Sequence, residues 1–266
     1  MRFLIPSSRI PILTQATTTS HAKLEECCTN ISSEYSEKSS LVDVTVIVPI
    51  HDDFDHLERL FEDLQPFPQL EIVAVDSASV DSPEGISEKV QLISSDQMGR
   101  GAQIALGVRQ TNRSWIWILH ADSRVSPTIV EELANAITRC RWGRFDVRLA
   151  GDRTSYRVVE RMMNVRSAMT SICTGDQGMF VQRSLLNEVG GVPEQSLMED
   201  IELSKRLRKI EKPLRIRAQL ATSVRKWERE GVLATIIRMW SYRLRYFLGT
   251  HPSVLYQDYY GRGRTK

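Results

Sequence analysis

Residues Val42–Leu64 read VDVTVIVPIHDDFDHLERLFEDL, and the hydrophobic period changes partway along. VDVTVIVPI is a nearly continuous β-branched run stopped by Pro49, the composition of a strand covered on both faces. In DHLERLFEDL, by contrast, Leu57, Leu60, Phe61 and Leu64 recur at helical spacing, giving one apolar stripe. A buried strand that passes through a short polar link into an amphipathic helix is the opening of a crossover unit.

The same alternation continues outward. LEIVAVDSAS (70–79) is a second apolar strand that ends in an acid, and VQLISS (90–95) is a shorter third. QMGRGAQIALGV (97–108) is a glycine-containing turn that opens a helix, and SWIWILHADSR (114–124) is a fourth strand. TIVEELANAI (128–137) has the apolar spacing of another helix, with Ser126 at its N-cap and Pro127 at its first turn. Strand and helix in alternation predict an α/β class: a Rossmann-like, mostly parallel sheet with right-handed crossovers and flanking helices.

The chain has 266 residues, 41% hydrophobic and 26% charged, as expected of an ordinary globular protein, here read as a single domain. A net charge of +2 supplies no global field for nucleic acid, so no nucleic-acid partner is expected. Between Lys205 and Lys266 basic residues far outnumber acidic ones, which suits an anionic surface or polyanion as well as a solvated helix face. Cys27, Cys28, Cys140 and Cys173 make no Cys-x-x-Cys pattern and have no zinc-ligand spacing, so a reduced, cytoplasmic setting is expected. No stretch approaches the roughly 20 apolar residues of a membrane span. The start, MRFLIPSSRIPILTQATTTS, is broken by Pro6, Ser7, Arg9 and Pro11 and makes a poor signal segment. Residues 1–40, rich in Ser, Thr and Glu, are expected to be a disordered leader. The domain is then 41–250, closing on an amphipathic helix, with 251–266 as a basic tail.

In open parallel sheets, ligands collect outside the carboxyl ends of the strands, where the strand order reverses. His51-Asp52 follows the first strand, Asp76 the second and Asp122 the fourth. One such acid is an ordinary turn or cap residue. Three along one crevice point to a ligand. The dinucleotide fingerprint is excluded, because VIVPIHDDFDHL contains no glycine and Gly99, Gly101 and Gly107 follow the third strand at the wrong spacing. Walker A and Gly-x-Ser-x-Gly are absent too. What remains is a nucleotide site built from carboxylates, which can accept from a base or ribose and can hold a divalent metal beside a diphosphate.

VTVIVPIHDDFDHLERLFEDL, VAVDSASVDS, MGRGAQIALG, ILHADSR, TGDQGMFVQR and LMEDIELSKRLRK occur in the order and spacing of family 2 glycosyltransferases of the GT-A fold, which the chain resembles over about residues 43–250. Within that family it is most similar to a small bacterial subgroup described as arsenosugar-biosynthesis glycosyltransferases. The resemblance implies a GT-A type fold and a metal-dependent transferase. It would move a sugar, with inversion, from a UDP- or GDP-sugar to a small or lipid-linked hydroxyl acceptor, with Mn²⁺ or Mg²⁺ as cofactor. It further implies that Pro49 and Asp52 shape the first donor loop, that Asp76 holds the base, and that Arg100 reaches the donor phosphates. Asp122 stands where the family's Asp-x-Asp motif ends, as the metal ligand beside the diphosphate. Asp200 matches the catalytic base, with Glu199 its neighbour in the Glu-Asp motif. The loop holding Asp176 and Gln177 lies on the acceptor side. Arg225 and Trp227, in a short strand-like segment, resemble a basic-aromatic acceptor motif. Three positions depart from the pattern: the first-loop Asn-Glu pair reads Asp52-Asp53, the Asn of the third motif is Ala105, and His120 stands two residues before Asp122. A neutral His there suits a transition metal, favouring Mn²⁺, or a hydrogen-bonded core residue.

The residues alone leave second readings open. Asp200 begins an amphipathic helix with Ile201, Leu207 and Ile210, where an acid is favoured by the helix dipole without any catalytic task. The glycines around Asp176 and Gln177 suit a plain hairpin turn. Arg225 and Trp227 suit a surface charge and a core aromatic. GVLATIIRMWSYRLRYFLG carries Leu233, Ile236, Ile237, Trp240, Leu244 and Phe247 along one side, with Arg238, Arg243 and Arg245 elsewhere. That pattern fits a helix packed on the domain, or a basic amphipathic helix making peripheral membrane contact through residues 232–248. Two rival functions remain beside the transferase. One is a nucleotidyltransferase on a related fold, which should carry a glycine-rich loop after its first strand; the other is a non-catalytic nucleotide-sugar-binding protein.

Overall fold

The computed structural model describes residues 41–51, 53–77 and 90–261. The expected leader, Asp52 and residues 262–266 of the expected tail lie outside them. Along the chain come β1 (Val44–Ile50), α1 (Phe54–Leu64), β2 (Glu71–Asp76), β3 (Val90–Ser94), α2 (Arg100–Arg109), β4 (Trp115–Ile118) and β5 (Ser123–Arg124). Then follow α3 (Pro127–Ile137), β6 (Trp142–Leu149), α4 (Thr154–Thr170), a 3-10 turn (Gly175–Gln177), β7 (Phe180–Gln182) and α5 (Arg183–Glu188). The last elements are α6 (Glu199–Leu207), β8 (Leu214–Thr222), α7 (Arg225–Glu230), α8 (Val232–Phe247) and α9 (Pro252–Gly261).

Among the described residues the strands form one eight-stranded sheet in the order β3-β2-β1-β4-β7-β6-β8-β5. β3, β2, β1 and β4 run parallel, as do β6 and β8, while β7 is antiparallel to both neighbours and β5 to β8. This is the mostly parallel, helix-flanked sheet that the alternating sequence predicts. Period-two alternation divides its side chains. Val46, Val48, Ala74 and Trp117 pack with Leu57, Leu60 and Leu64 of α1 and Ile129, Val130 and Leu133 of α3 on one face. Ile47, Val73, Val75, Ile116 and Ile118 pack with Ile104 of α2, Leu185 and Leu186 of α5 and Leu203 and Leu207 of α6 on the other. Each such fully buried side chain contributes about 1.5–3 kcal/mol over exposure, which pins the register and hence the strand ends that form the site.

Several local readings are corrected. β1 runs through Pro49 to Ile50 and ends in register with Asp76. Residues 45, 47 and 49 turn their backbone groups to the same neighbour, and the last β1–β4 pair is Ile47–Ile118. Pro49 therefore ends that ladder and not the strand. Arg225–Glu230 is a helix, not strand-like. α6 stops at Leu207, leaving Ile210 outside it and exposed. Ser126 holds the N-cap position of α3, but its side chain makes no cap bond. Residues 252–261, read as tail, form α9 and bury Leu255 against Met198 and Tyr242.

β6 carries a buried charge network. Arg144, only 1% exposed, donates to Asp146 Oδ1 at 2.8 Å, and Arg215 on β8 binds the same carboxylate from the other side at 2.7 and 2.9 Å. Burial works against the Asp146 charge, but the two guanidiniums win and hold its pKa below the usual carboxylate range.

Candidate active site

β2, β1 and β4 are neighbours, and the strand order reverses between β1 and β4. Their carboxyl ends therefore face one crevice. Asp76 closes β2 opposite Ile50, and it is buried. His51 Nδ1 lies 3.1 Å from Ser77 Oγ, tying the two strand ends together. Gln103, a buried residue of α2 without an obvious sequence signal, donates from Nε2 to the carbonyls of Ile50 and Val75 at 2.5 and 2.7 Å. It fixes the rim on which Asp76 sits.

Asp122 lies in the turn from β4 to β5. Thr222 at the end of β8 donates to its Oδ1 at 3.4 Å, and Ser123 pairs with Thr222 across the β5–β8 ladder. Behind it Arg124 grips Asp63 of α1 through two bonds of 2.7 and 2.8 Å, and Val125 N–H adds a third at 2.9 Å. The bidentate pair holds the turn rigid. Among the described residues no group of three His, Cys, Asp or Glu side chains gathers to hold a metal. Asp122 fits a hard divalent ion as a single carboxylate anchor, with phosphate oxygens and water as the remaining ligands. His120 does not fit as a second ligand in this arrangement. The Arg100 guanidinium contacts its Nε2, and its Nδ1 lies 3.3 Å from Asp176 Oδ1. Nε2 must accept from Arg100, so the imidazole hydrogen points to Asp176.

The Glu-Asp pair is aimed by local backbone geometry. Met198 adopts a left-handed conformation, φ 66°, immediately before α6, and is buried against Tyr242 and Leu255. A non-glycine residue held in that region is strain that packing must sustain. It turns Glu199 inward, 4% exposed, with its Oε1 3.4 Å from Arg100 Nε. Asp200 Oδ2 accepts from Gly175 N–H at 3.0 Å and Oδ1 from Ile201 N–H at 2.7 Å, so both oxygens are oriented by backbone donors. Asp200, Glu199, Arg100, Gly175 and Ile118 line one small cavity. Burial opposes the Arg100 charge, but Glu199 and then Asp200 outweigh it and raise its pKa above the ordinary arginine value. Burial pushes Glu199 up, with Arg100 opposing.

Gly175 is where two chain segments meet. A Cβ there would collide with His120 Nε2 and the Arg100 guanidinium. The turn is closed by a capping box in which Thr174 and Gln177 bond reciprocally, and Gly178 (φ 54°) leads out of it. Gln177 is fully buried, and its amide bonds Thr174 and Asn164. It shapes the loop from inside, whereas Asp176 is turned outward beside His120. Trp227 packs with Leu149, Tyr156 and Val159 as a core aromatic. Arg225 reaches the segment that links β1 to α1, 3.3 Å from His56 Nδ1 and 3.6 Å from Asp53 Oδ2. Two further cations belong to the site. Arg166 of α4 and Arg243 of α8 both interact with Asp200; burial, aided for Arg166 by Arg243, lowers their pKa values, that of Arg166 to about 10. Nε and Nη2 of Arg166 are buried with no hydrogen-bond partner among the described residues. Neither arginine stands in a motif, and they meet Asp200 only through tertiary packing.

A mostly parallel sheet of this order, flanked by helices and lined with acids at its strand ends, is the architecture of a GT-A type glycosyltransferase. Residues 45–185, more than half of the chain, match glycosyl transferase family 2, and the chain belongs to that family. No curated protein matches it. Solved structures with the same fold include residues 1–349 of TarS from S. aureus (TM-score 0.54, 16% identity, 68% of this chain and 60% of that one). Another is the same TarS fragment in complex with UDP-GlcNAc (TM-score 0.54, 16% identity, 68% and 58%). A third is mannosyltransferase PcManGT from Pyrobaculum calidifontis in complex with GDP-Man and Mn²⁺ (TM-score 0.54, 18% identity, 82% and 69%). The chain spans 60% of the TarS fragment, and at these identities the likeness is one of fold.

Proposed function

We propose that the chain is an inverting glycosyltransferase that moves a sugar from a UDP- or GDP-sugar to a hydroxyl acceptor in the cytoplasm. The observation that carries this reading is Asp200, whose two oxygens are oriented by backbone N–H groups at the mouth of a cavity shared with Arg100 and Glu199. Asp200 takes the proton of the acceptor hydroxyl as its oxygen attacks the anomeric carbon, and single displacement inverts that centre. Opposite, the nucleoside diphosphate leaves with its electron pair. Asp76 accepts from the base, Pro49 and Asp52 belong to the first donor loop, and Arg225, beside Asp53, helps to enclose the donor. Arg100 stabilises the developing charge, held cationic by Glu199 and oriented through His120 and Asp176. Asp122 would hold Mn²⁺ or Mg²⁺ with the diphosphate oxygens, and that ion supplies further positive charge to the leaving group. Within family 2, the motif set supports placement in the arsenosugar-type subgroup.

The direct test is a screen of UDP- and GDP-sugars against the purified chain with Mn²⁺, Mg²⁺ or chelator, read as nucleoside diphosphate released. Metal-dependent release by the parent that Asp122→Asn weakens supports the assignment. Donor binding by calorimetry, with no release against a broad acceptor panel, would instead indicate a nucleotide-sugar-binding protein.

A further inference from the structure

α8 does not bury its apolar stripe. Leu233 (71% exposed), Ile237, Trp240 (59%), Leu244 and Phe247 (86%) all face out of the domain, and Leu248 extends the row. A second stripe lies on the neighbouring helix: Val158, Met162, Val165 and Met169 (81%) of α4 recur at the same spacing and are also exposed. The two helices meet through their side chains. Tyr156, Val159 and Met163 of α4 share a cluster with Val232 and Ile236 of α8, and Arg166 faces Arg243 further on, so the helices run in the same direction. At about 100° per residue, the α4 side chains turned to α8 lie about a quarter turn one way from the α4 stripe. Those of α8 turned to α4 lie a quarter turn the other way. For helices running in parallel this places both stripes on one face of the molecule.

Isolated exposed hydrophobics need no explanation, but two aligned rows form a contiguous patch of the kind that marks an interaction surface. The charges beside it select the partner. α4 and α8 carry six arginines against one acid, the buried Glu160, which takes the Leu149 N–H and pairs with Arg157; Arg166 and Arg243 turn inward to Asp200, Arg161 is exposed, and Arg238 and Arg245, each about a third exposed, pair with Glu230 and Asp258. At the far end of α4, Arg208 donates to the Thr170 carbonyl. Among the described residues no helix is long and apolar enough to cross a membrane.

We propose that this two-helix face docks on an anionic bilayer, with the apolar rows in the headgroup boundary and the outward arginines, Arg161 foremost, on lipid phosphates. The inner side of α8 reaches the site. Arg243 interacts with Asp200, and the Tyr246 hydroxyl donates to Glu202 of α6 at 3.1 Å. Docking thus sets the Asp200 side of the cavity about one helix diameter from the lipid, so the acceptor is one carried at that bilayer surface. Only this last step rests on the transferase reading.

The test is vesicle flotation of the full chain with phosphatidylcholine alone and with about a third phosphatidylglycerol, at low salt and at about 0.5 M salt. Docking predicts flotation with the anionic vesicles, weakened by salt, and a loss of about tenfold or more in Trp240→Glu and in Met169→Glu, each melting like the parent. Variants that float like the parent, or a parent that ignores anionic vesicles, overturn it. So does a stable dimer in light scattering that Trp240→Glu disperses while no vesicle binding is seen, since the face then meets a second copy of the chain. Donor binding is measured on the same samples without vesicles: its absence beside intact flotation sinks the transferase reading alone, and lost flotation beside intact donor binding sinks docking alone.

Discussion

Arg100→Met isolates the interaction that holds the Glu-Asp motif in place. The substitution keeps much of the side-chain volume but leaves the Glu199 carboxylate, 4% exposed and 3.4 Å from the lost guanidinium, without its cation, and His120 Nε2 without its donor. Removing one partner of a fully buried pair costs about 3–5 kcal/mol. The Arg100 side chain is 29% exposed, so water screens part of this, and about 2–3 kcal/mol is expected. For a chain of this length that is a fall in Tm of about 5–10 °C. The loss depends on pH in a defined direction. Burial already raises the Glu199 pKa, and the substitution removes Arg100, the strongest group that opposes it, while Asp200 still adds to the rise. A carboxyl whose folded pKa is raised contributes its full stability below the unfolded value and loses it as pH rises through the folded one. Arg100→Met should therefore melt closest to the parent near pH 5 and furthest below it near pH 8, and adding Glu199→Gln should recover most of the difference at pH 8. Circular dichroism melts of the parent, the two single variants and the double variant at the two pH values decide it. An Arg100→Met loss that is equal at both pH values, or unrelieved by Glu199→Gln, refutes the reasoning.

Two other substitutions separate site geometry from fold stability. Gly175→Ala forces His120 and Arg100 apart, and a displacement near 1 Å in a catalytic site costs on the order of 10²-fold in rate, so kcat/KM should fall that far while Tm shifts little; an unchanged rate would show that the His120–Arg100 contact is dispensable. Asp146→Asn leaves buried Arg144 short of its counter-charge and should cost about 3–5 kcal/mol at pH 7. Because the Asp146 pKa is lowered, its contribution is lost as pH falls through the folded value, so parent and variant melts should converge below about pH 4.

The first half of the fold was legible because β1 to β4 and α1 to α3 carry uninterrupted periodic signals, and their strand ends bring the sequence-predicted His51, Asp76 and Asp122 to one crevice. β6 was not legible: Arg144 and Asp146 break its apolar run, and they are buried only because each is paired, a fact held in Arg215 some 70 residues away on β8. The apolar row of α8 left two readings open. Its spacing is that of a core-facing stripe, and a single sequence cannot say that the helix turns Trp240 and Phe247 outward. At the site, the Glu-Asp motif was visible, but what orients it was not. The left-handed Met198 and the Gly175 N–H act through backbone geometry, and Arg166 and Arg243 arrive from helices distant in sequence. His120, visible as a departure from the acidic pattern, proves to be a partner of Arg100 and Asp176.

Asp200→Asn is the most direct measurement of the proposed chemistry. The amide keeps one acceptor for the two backbone donors and the shape of the residue, so the donor crevice at Asp76 and Asp122 should stay intact. With a donor and acceptor pair found by the nucleotide-sugar screen, base catalysis by Asp200 predicts an unchanged donor Kd by calorimetry and a fall in kcat of about 10²–10⁴-fold. Transfer at the parental rate, with donor Kd unchanged, would contradict it and remove Asp200 as the base.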